Sequence, residues 1–290
     1  MKFYVGLHQP SDAKHFDRCF ISINRLKTRK SNFEVNDWIL DSGAFTQVAK
    51  HGEYTMSIQA YAHYIRRWSR CGNLVAACAQ DYMCEPFMFS GQDYSVVDAD
   101  EAQLSPAAKR LRWEIDYLVS EGANPMWFDD YVSPLEEWWD PVDVREHQEL
   151  TVDRYDRLRY ELRKWRCPTP LLPVLQGYEE AEYVACLDLY EEAGFLPPGA
   201  YAGVGSICKR NSNADTVRGV LGAILERRPD LQLHGFGLKR TALEDPQVVR
   251  MLSSSDSMAW SFAARYEGRN GNDWREAKAY EEKIKQLTRA

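Results

Sequence analysis

The sequence predicts an α/β protein built as a (β/α)8 barrel, with a doubly wound open sheet as the alternative architecture. Eight short apolar runs recur along the 290-residue chain and end at polar or glycine-rich turns. The runs that begin near residues 171, 201 and 231 are spaced by one strand plus one helix, which indicates a parallel sheet. Eight parallel strands suit a closed barrel. The open sheet remains an alternative because the first two connections are too short for standard crossover helices.

The predicted strands and helices follow from the spacing of the apolar residues. The strands are residues 3–7, 19–23, 38–40, 74–79, 170–175, 200–204, 231–236 and the stretch that precedes Asp256. Helical spacing predicts helices that begin behind Ser57, at Ser105 and Pro106, and behind Asn213, and a C-terminal helix at about 272–289. Their apolar faces carry Ile58, Tyr61, Ile65 and Trp68; Leu111, Ile115 and Leu118; Val217, Val220, Leu221, Ile224 and Leu225; and Ala277, Tyr280, Ile284 and Leu287.

One segment does not fit a regular barrel. Residues 82–165 are too many for a simple connection, and they include Trp127, Trp138, Trp139 and several prolines. We predict an insertion of helices and loops at about 82–165, which would form a lid or a substrate-docking lobe. The chain would then be a single domain over residues 1–290 that carries this insertion.

Composition limits the class of protein. The chain has 36 Lys and Arg against 43 Asp and Glu, a formal charge of −7, which excludes a wholly basic nucleic-acid coat but permits a local basic groove. No apolar run approaches the roughly 20 residues that span a bilayer, and the N-terminus turns polar too soon for a signal peptide. We therefore expect a cytoplasmic protein. Seven scattered cysteines without a C-x-x-C pair predict reduced thiols and no zinc-finger site.

Polar residues follow the predicted strands at the end where a parallel barrel carries its active site. They are Asp41, Asp81, Gln176 and Gly177, Gly203, Gly205 and Ser206, His234, Gly235 and Gly237, and Asp256. A single Asp after a strand is commonly a helix cap, and a single glycine there is commonly a tight turn. Three carboxylates beside an amide and two glycine pairs predict a site instead. Such carboxylates suit displacement at a sugar anomeric carbon, where one attacks and another moves a proton.

Basic residues recur just after the same strand ends. They are Lys209, Arg210, Lys239, Arg240 and Arg265. Any one of them alone is ordinary solvated surface charge. Consecutive barrel loops would place the set around one rim, where it would hold the phosphates of a polynucleotide.

Six motifs resemble, in order, those of tRNA-guanine transglycosylases, which are (β/α)8 barrels that exchange guanine for a 7-deazaguanine. The motifs are LDSGAF (40–45), QD (80–81), PVLQG (173–177), YAGVGS (201–206), LHGFG (233–237) and SDS (255–257). The longer forms GVGSICKR, LHGFGLK and SSDSMAWSFAAR look closer to the DNA-modifying 7-deazapurine (DpdA-like) branch found in phages and bacterial modification clusters. The resemblance covers residues 3–80 and 170–265 and leaves the insertion unassigned.

The resemblance implies a role for each matching residue. Asp256 matches the nucleophile and Asp41 the general acid/base. The residues that match the base-binding positions are Asp81 and Gln176 at the guanine edge, with Gly177 and Ser206 beside them, Gly205 as a backbone donor, Phe45 as a stacking aromatic, and His234 where an apolar stacking residue is usual. A buried histidine with a structural role is the alternative for His234.

Two departures favour the DNA branch over tRNA. The cysteine and histidine zinc motif of the tRNA enzymes is missing, since no Cys follows Cys208. The stretch after about residue 270 is too short for an appended RNA-binding domain. We therefore expect no bound metal.

The resemblance implies a DNA guanine transglycosylase, a pentosyltransferase that replaces guanine in DNA with free 7-cyano-7-deazaguanine (preQ0) through a covalent glycosyl-enzyme. It needs DNA and the free base, and no ATP, redox cofactor or metal; a phage-encoded chain would act in the host cytoplasm. A target base inside a duplex must be flipped out or presented single-stranded. Three alternatives stay open: the same chemistry on tRNA, a non-catalytic nucleic-acid-binding barrel, and a plain glycosidase.

Overall fold

The computed structural model describes residues 1–51, 53–85, 141–210 and 213–289, and within them one parallel sheet curls into a barrel. Its strands are β1 (Lys2–Gly6), β2 (Arg18–Ser22), β3 (Asp37–Asp41), β4 (Asn73–Cys78), β5 (Leu171–Leu172), β6 (Val174–Leu175), β7 (Tyr201–Val204), β8 (Gln232–Gly235) and β9 (Ser254–Ser257). The pairing order is β5-β4-β3-β2-β1-β9-β8-β7-β6, and every pair is parallel.

The two ends of this order meet at Pro173. Strand β5 pairs with β4 and strand β6 pairs with β7, and only Pro173 separates β5 from β6 along the chain. Proline has no N–H for the ladder, which explains the break. Together β5 and β6 occupy one strand position of the barrel. The nine strands therefore fill eight positions of a nearly closed barrel. The (β/α)8 prediction is confirmed, and the open doubly wound sheet is excluded.

Helices cover the outside of the barrel. They are α1 (Ala44–His51), α2 (Ile58–Trp68), α3 (Pro141–Lys164), α4 (Glu180–Glu192), α5 (Ala214–Arg227), α6 (Arg240–Leu243), α7 (Pro246–Met251), α8 (Ala259–Tyr266) and α9 (Trp274–Arg289). Short 3-10 helices lie at Pro10–His15, Ile23–Arg25 and Ile207–Arg210. Within the described ranges, no helix is both long and apolar enough to cross a bilayer.

The predicted helix starts agree with the structure where it can be compared. The Ser57 hydroxyl accepts from the Ala60 amide at the start of α2, and the Asn213 side chain accepts from two amides of the first turn of α5. The C-terminal helix predicted at about 272–289 is α9. The helix predicted behind Ser105 lies outside the described residues.

The insertion predicted at about 82–165 is described only at its two ends. At the first end, Glu85 is 1% exposed, and the Ser206 hydroxyl lies 2.9 Å from its Oε2. Helix α3 packs beside α2 and α4 as a regular barrel helix, because Tyr155, Leu158 and Leu162 enter the main core. The part of the β4-to-β5 connection between these ends, residues 86–140, lies outside the described residues.

Strand alternation divides the apolar residues between two cores. Val5, Trp38 and Leu40 face the helices, while Tyr4 and Ile39 face the barrel interior together with Ala76, Cys78 and Leu172. Asp41 lies two residues beyond Ile39 on the same strand. The alternation that puts Ile39 inside therefore also turns Asp41 toward the interior, at the carboxyl end of β3.

All seven cysteines lie in the described part of the chain, and five of them are buried.

Candidate active site

Three carboxyl groups share the mouth at the carboxyl ends of the strands. Asp41 ends β3, Asp81 follows β4, and Asp256 is the third residue of β9. The charge of Asp256 raises the pKa of Asp41, and the charge of Asp41 raises the pKa of Asp81. Groups that influence one another in this way lie close together, so the three predicted residues form one site.

The surroundings of Asp41 bring its pKa close to neutral pH. Burial, with the charge of Asp256, raises the pKa of Asp41 to about 6, although hydrogen bonds from the Ser22 hydroxyl and the Gly43 and Ser42 amides oppose the rise. Gly43 has a φ of 73°, a left-handed conformation that glycine adopts at little cost. A carboxyl group with this pKa can both give and take a proton at pH 7.

Asp81 belongs to a buried chain of polar groups that we call the Asp81 network: Asp81, Gln176, Ser206 and Glu85. The Gln176 Nε2 donates to Asp81 Oδ2 at 2.5 Å, and the Ser206 hydroxyl lies 2.6 Å from Gln176 Oε1. The same hydroxyl lies 2.9 Å from Glu85 Oε2. None of the four side chains is more than 8% exposed. The network presents carboxylate and amide groups, the chemistry that pairs with a guanine edge.

Burial also changes the acidity of the Asp81 network. Desolvation raises the pKa of Asp81 to about 7, helped by the charges of Asp41 and Glu85 and opposed by the hydrogen bond from Gln176. A large part of the Asp81 carboxyl groups therefore hold a proton at neutral pH.

Gly205 supports this network without donating to a ligand. Its N–H donates to the Leu175 carbonyl at 2.9 Å within the sheet, so the expected role as a backbone donor to a base does not fit the structure. A Cβ at Gly205 would lie 2.2 Å from Gln176 Nε2. Gly205 therefore makes room for the Gln176 amide. Gly177 is equally confined, since a Cβ there would lie 2.8 Å from the Tyr183 amide nitrogen.

Asp256 is held by a second cluster, which we call the Asp256 network: Asp256, His234, Ser254 and Tyr201. His234 Nε2 lies 3.3 Å from Asp256 Oδ1, and the Gly237 N–H donates to the same oxygen at 3.0 Å. His234 Nδ1 lies 2.8 Å from the Ser254 hydroxyl, which lies 2.6 Å from the Tyr201 hydroxyl. Among the described residues, both hydrogen bonds to Asp256 reach Oδ1.

The two aromatic residues that the resemblance assigns to base stacking differ in exposure. The His234 side chain is 0% exposed, with Phe20 stacked on its face at 5.7 Å between ring centroids. A ring without an open face does not fit a role in contacting the base. Phe45, in the first turn of α1 beyond Asp41, is 38% exposed, and its stacking role stays a prediction.

Two of the predicted phosphate-binding cations border one cavity beside β9. The cavity has a volume of about 330 Å³, and its lining includes Lys239, Arg265, Ser257 and His8. Arg25 contacts one of the lining residues, since its Nη2 lies 3.1 Å from His8 Nδ1. Burial, followed by Arg25 and Arg265, lowers the pKa of His8, so the positive charge there comes from the arginines and the lysine.

Arg240, a third predicted cation, does not line this cavity. Arg240 is on the surface, where its Nε pairs with Glu244 Oε1 at 2.7 Å one helical turn away. Lys209 and Arg210 lie in the 3-10 helix Ile207–Arg210, and their side chains lie outside the described residues.

The sequence analysis did not predict several residues that contact the predicted site residues. Ser22 is the register partner of Asp41, which only a known strand register would have revealed. Tyr201 and Ser254 look like ordinary strand residues until the barrel places them around His234. Glu85 and Arg25 lie in connections between strands, where no hydrophobic periodicity or motif in the sequence indicated a functional role.

The comparisons with known proteins agree with this geometry. The model of the family described as DpdA, DeoxyPurine in DNA protein A, matches residues 1–125 and 139–275 of the chain. Comparison with curated proteins finds no match. The family has transglycosylase-like members that modify DNA with deazapurines, as the resemblance of the six motifs predicts. The barrel, its three-carboxylate mouth and the extent of the match together mean that the chain belongs to the DpdA family of DNA deazapurine-modification proteins.

Proposed function

We propose that the protein is a DNA guanine transglycosylase that exchanges guanine in DNA for a free 7-deazaguanine, with 7-cyano-7-deazaguanine as the expected base. The observation that supports this most strongly is the pairing, in one barrel mouth, of an anchored carboxylate with a second carboxyl group whose pKa is about 6. Base exchange needs a nucleophile and a group that passes one proton back and forth.

The first half of the reaction removes guanine. Asp256 attacks C1′ of the flipped deoxyguanosine, the C1′–N9 bond breaks, and its electron pair stays on guanine. Asp41 supplies the proton that the leaving base needs. Because esterification removes the charge of Asp256, it also removes one cause of the raised pKa of Asp41, which favours the ionised form that the next step requires.

The second half installs the new base. N9 of the incoming 7-deazaguanine attacks C1′, the bond from C1′ to Asp256 breaks, and the N9 proton goes to Asp41. Two inversions at C1′ retain the β configuration. Protons and charges balance over the cycle, so the exchange consumes only the free base.

The Asp81 network would read the base. Guanine and a 7-deazaguanine share the same N1–H, N2–H2 and O6 edge, so one pocket can accept both in turn. The Asp81 carboxylate accepts from the two N–H groups, and the Gln176 amide donates to O6. Leaving a buried partner unsatisfied costs about 1–3 kcal/mol, which gives selectivity against bases that lack this edge.

The cavity beside β9 would hold a phosphate of the DNA strand. Lys239, Arg265 and Arg25 supply positive charge next to the strand that carries Asp256. Screening confines the repulsion from the net charge of −7 to about 10 Å at 0.1 M salt, so local cations dominate at the mouth.

The direct test incubates the protein with guanine-containing DNA and isotope-labelled 7-cyano-7-deazaguanine, followed by digestion and mass analysis of the nucleosides. We expect label in the DNA and release of free guanine in equal amounts. Label in tRNA but not in DNA would favour the tRNA reaction, abasic sites without added base would indicate a glycosidase, and no change in any polymer would indicate a non-catalytic barrel.

A further inference from the structure

His234 is a histidine that the proposed chemistry does not use directly, yet it touches the candidate nucleophile. It lies on β8 as the register partner of Ser254 on β9 and is 0% exposed. Its ring is fixed on two sides, by the stacked ring of Phe20 at 5.7 Å and the edge-on ring of Phe236 at 4.9 Å between centroids. The position of each nitrogen is therefore set by packing.

The hydrogen bonds determine which nitrogen carries the hydrogen. An ionised carboxylate only accepts, so the 3.3 Å contact between His234 Nε2 and Asp256 Oδ1 requires a hydrogen on Nε2. Two hydroxyls then face Nδ1: Ser254 at 2.8 Å and Tyr201 at 3.2 Å. We assign the shorter contact as the hydrogen bond to Nδ1, in which case Ser254 accepts from the Tyr201 hydroxyl at 2.6 Å. Burial raises the pKa of Tyr201, which keeps its hydroxyl protonated as the first donor of the chain.

The same bonds make the two oxygens of Asp256 unequal. Oδ1 accepts from His234 Nε2 and from the Gly237 N–H. An oxygen with two donors is the poorer nucleophile, because its lone pairs are engaged. Oδ2 has no such donor among the described residues and remains available for C1′.

We propose that His234 is the positioning residue of the nucleophile: it anchors Oδ1 of Asp256, so that Oδ2 attacks C1′. The inference rests on the proposed function and adds a role that the resemblance, which puts an apolar residue at this place, does not supply. In the ester, Oδ1 becomes the carbonyl oxygen. When the bond from Oδ2 to C1′ breaks in the second half, His234 Nε2–H stabilises the negative charge that returns to the carboxylate.

The test compares His234→Leu, which keeps the volume, with His234→Gln, which keeps an N–H donor. Single-turnover mixing with guanine-containing DNA, acid quench and gel analysis gives the rate of adduct formation. We expect His234→Leu to slow this rate by up to about 100-fold, as a misplaced reacting group does, and His234→Gln to recover much of it. The calorimetric affinity for free 7-cyano-7-deazaguanine should stay at the wild-type value in both.

A histidine away from the mouth provides the matched control. His15 stacks on Trp274 with 3.8 Å between ring centroids, and His15→Leu should keep the wild-type rate. A folded His234→Leu with the wild-type rate would overturn the inference. So would an equal loss in the Leu and Gln variants, or a loss confined to free-base affinity, which would mean that His234 contacts the base.

A readout without turnover separates this inference from the proposed function. Long-range ¹H–¹⁵N NMR of the histidine rings should show the Nε2–H form for His234 in the wild type. Its Nε2–H resonance should move in Asp256→Asn, while Ser254→Ala should shift the Nδ1 nitrogen. A hydrogen on Nδ1 alone would overturn the inference even if the exchange occurs, and the expected spectrum would support the anchoring even if wild-type protein forms no DNA adduct.

Discussion

The Asp81 network and the Asp256 network lie at the same mouth but are arranged in opposite ways. In the Asp81 network, Asp81, Gln176 and Ser206 bond to one another, so an entering base must replace bonds that already exist. In the Asp256 network, the donors converge on Oδ1 of Asp256, and Oδ2 has no such donor among the described residues. Under the proposed function, the first arrangement favours selectivity, because only a base that restores the lost bonds can enter without penalty. The second favours rate, because the proposed nucleophile is oriented before the substrate arrives.

The largest effect that distinguishes the two networks should come from Asp256→Asn. The amide oxygen can still accept from His234 and Gly237, so the fold and the free-base affinity should remain, but the variant has no nucleophilic carboxylate. We expect exchange to fall by at least about 10⁴-fold, measured as label incorporated into DNA. A folded variant with substantial exchange would show that another group attacks C1′.

A change in the Asp81 network should instead act on base affinity. Asp81→Ala removes the acceptor for the two N–H groups of the guanine edge and leaves Gln176 Nε2 without its partner. We expect the affinity for free 7-cyano-7-deazaguanine to fall about 10- to 100-fold, which corresponds to about 1–3 kcal/mol. Isothermal calorimetry checks this, and an unaltered affinity would make Asp81 a structural carboxylate.

The pH dependence of free-base binding tests whether the ionised Asp81 carboxylate contacts the base. The pKa of Asp81 is about 7, and only its ionised form accepts both N–H groups. Affinity for the free base should therefore rise from pH 6 to pH 8, with a loss of up to about tenfold for each pH unit below the pKa. Calorimetry on Asp81→Asn should show no such rise. A wild-type affinity that is flat over this range would contradict the raised pKa.

Burial of the Asp81 carboxylate should lower the free energy of unfolding at high pH. The folded pKa of Asp81, about 7, lies above the ordinary value of 3.8, so the native state binds the proton more tightly than the unfolded chain. Stability is therefore lost as pH rises from about 4 through 7, and the loss is complete above 7. Asp81→Asn removes this penalty, and we expect it to gain about 1–3 kcal/mol at pH 8 and nothing measurable at pH 4. Urea unfolding at the two pH values checks the difference.

The residues at the barrel mouth were more predictable from the sequence than the contacts that hold them in place. Asp41, Asp81, Gln176 and Asp256 follow strand ends, and the topology of a parallel barrel brings strand ends together whatever the details of packing. The link between His234 and Asp256 depends on the register of β8 against β9, and a one-residue change of register would turn either side chain to the other face. No pattern along the chain fixes that register.

The connections were the least predictable part. The sequence indicated an insertion but did not reveal α3 as a barrel helix, because α3 has little apolar periodicity. Much of its surface carries i,i+3 and i,i+4 ion pairs such as Arg145–Glu149 and Arg157–Asp153, which hide the buried stripe of Tyr155, Leu158 and Leu162.

The smallest expected effect concerns the cavity beside β9, which we propose holds a phosphate of the DNA. Lys239→Ala combined with Arg265→Ala should weaken DNA binding across sequences and reduce the log-log salt slope by about one unit per lost phosphate contact. Free-base affinity should not change. Arg275→Ala, which removes an exposed cation paired with Asp273, is the control with the same charge change per site. A double variant with the wild-type salt slope would assign the DNA track to another surface.

The most direct test of the central claim is the mass of the acid-quenched complex, formed with guanine-containing DNA in the absence of free base. The account predicts a protein–DNA adduct whose proteolytic peptide carries the deoxyribose on Asp256, and which disappears when 7-cyano-7-deazaguanine is added before the quench. An adduct on any other residue, or exchange of the base without any adduct under single-turnover conditions, would contradict it.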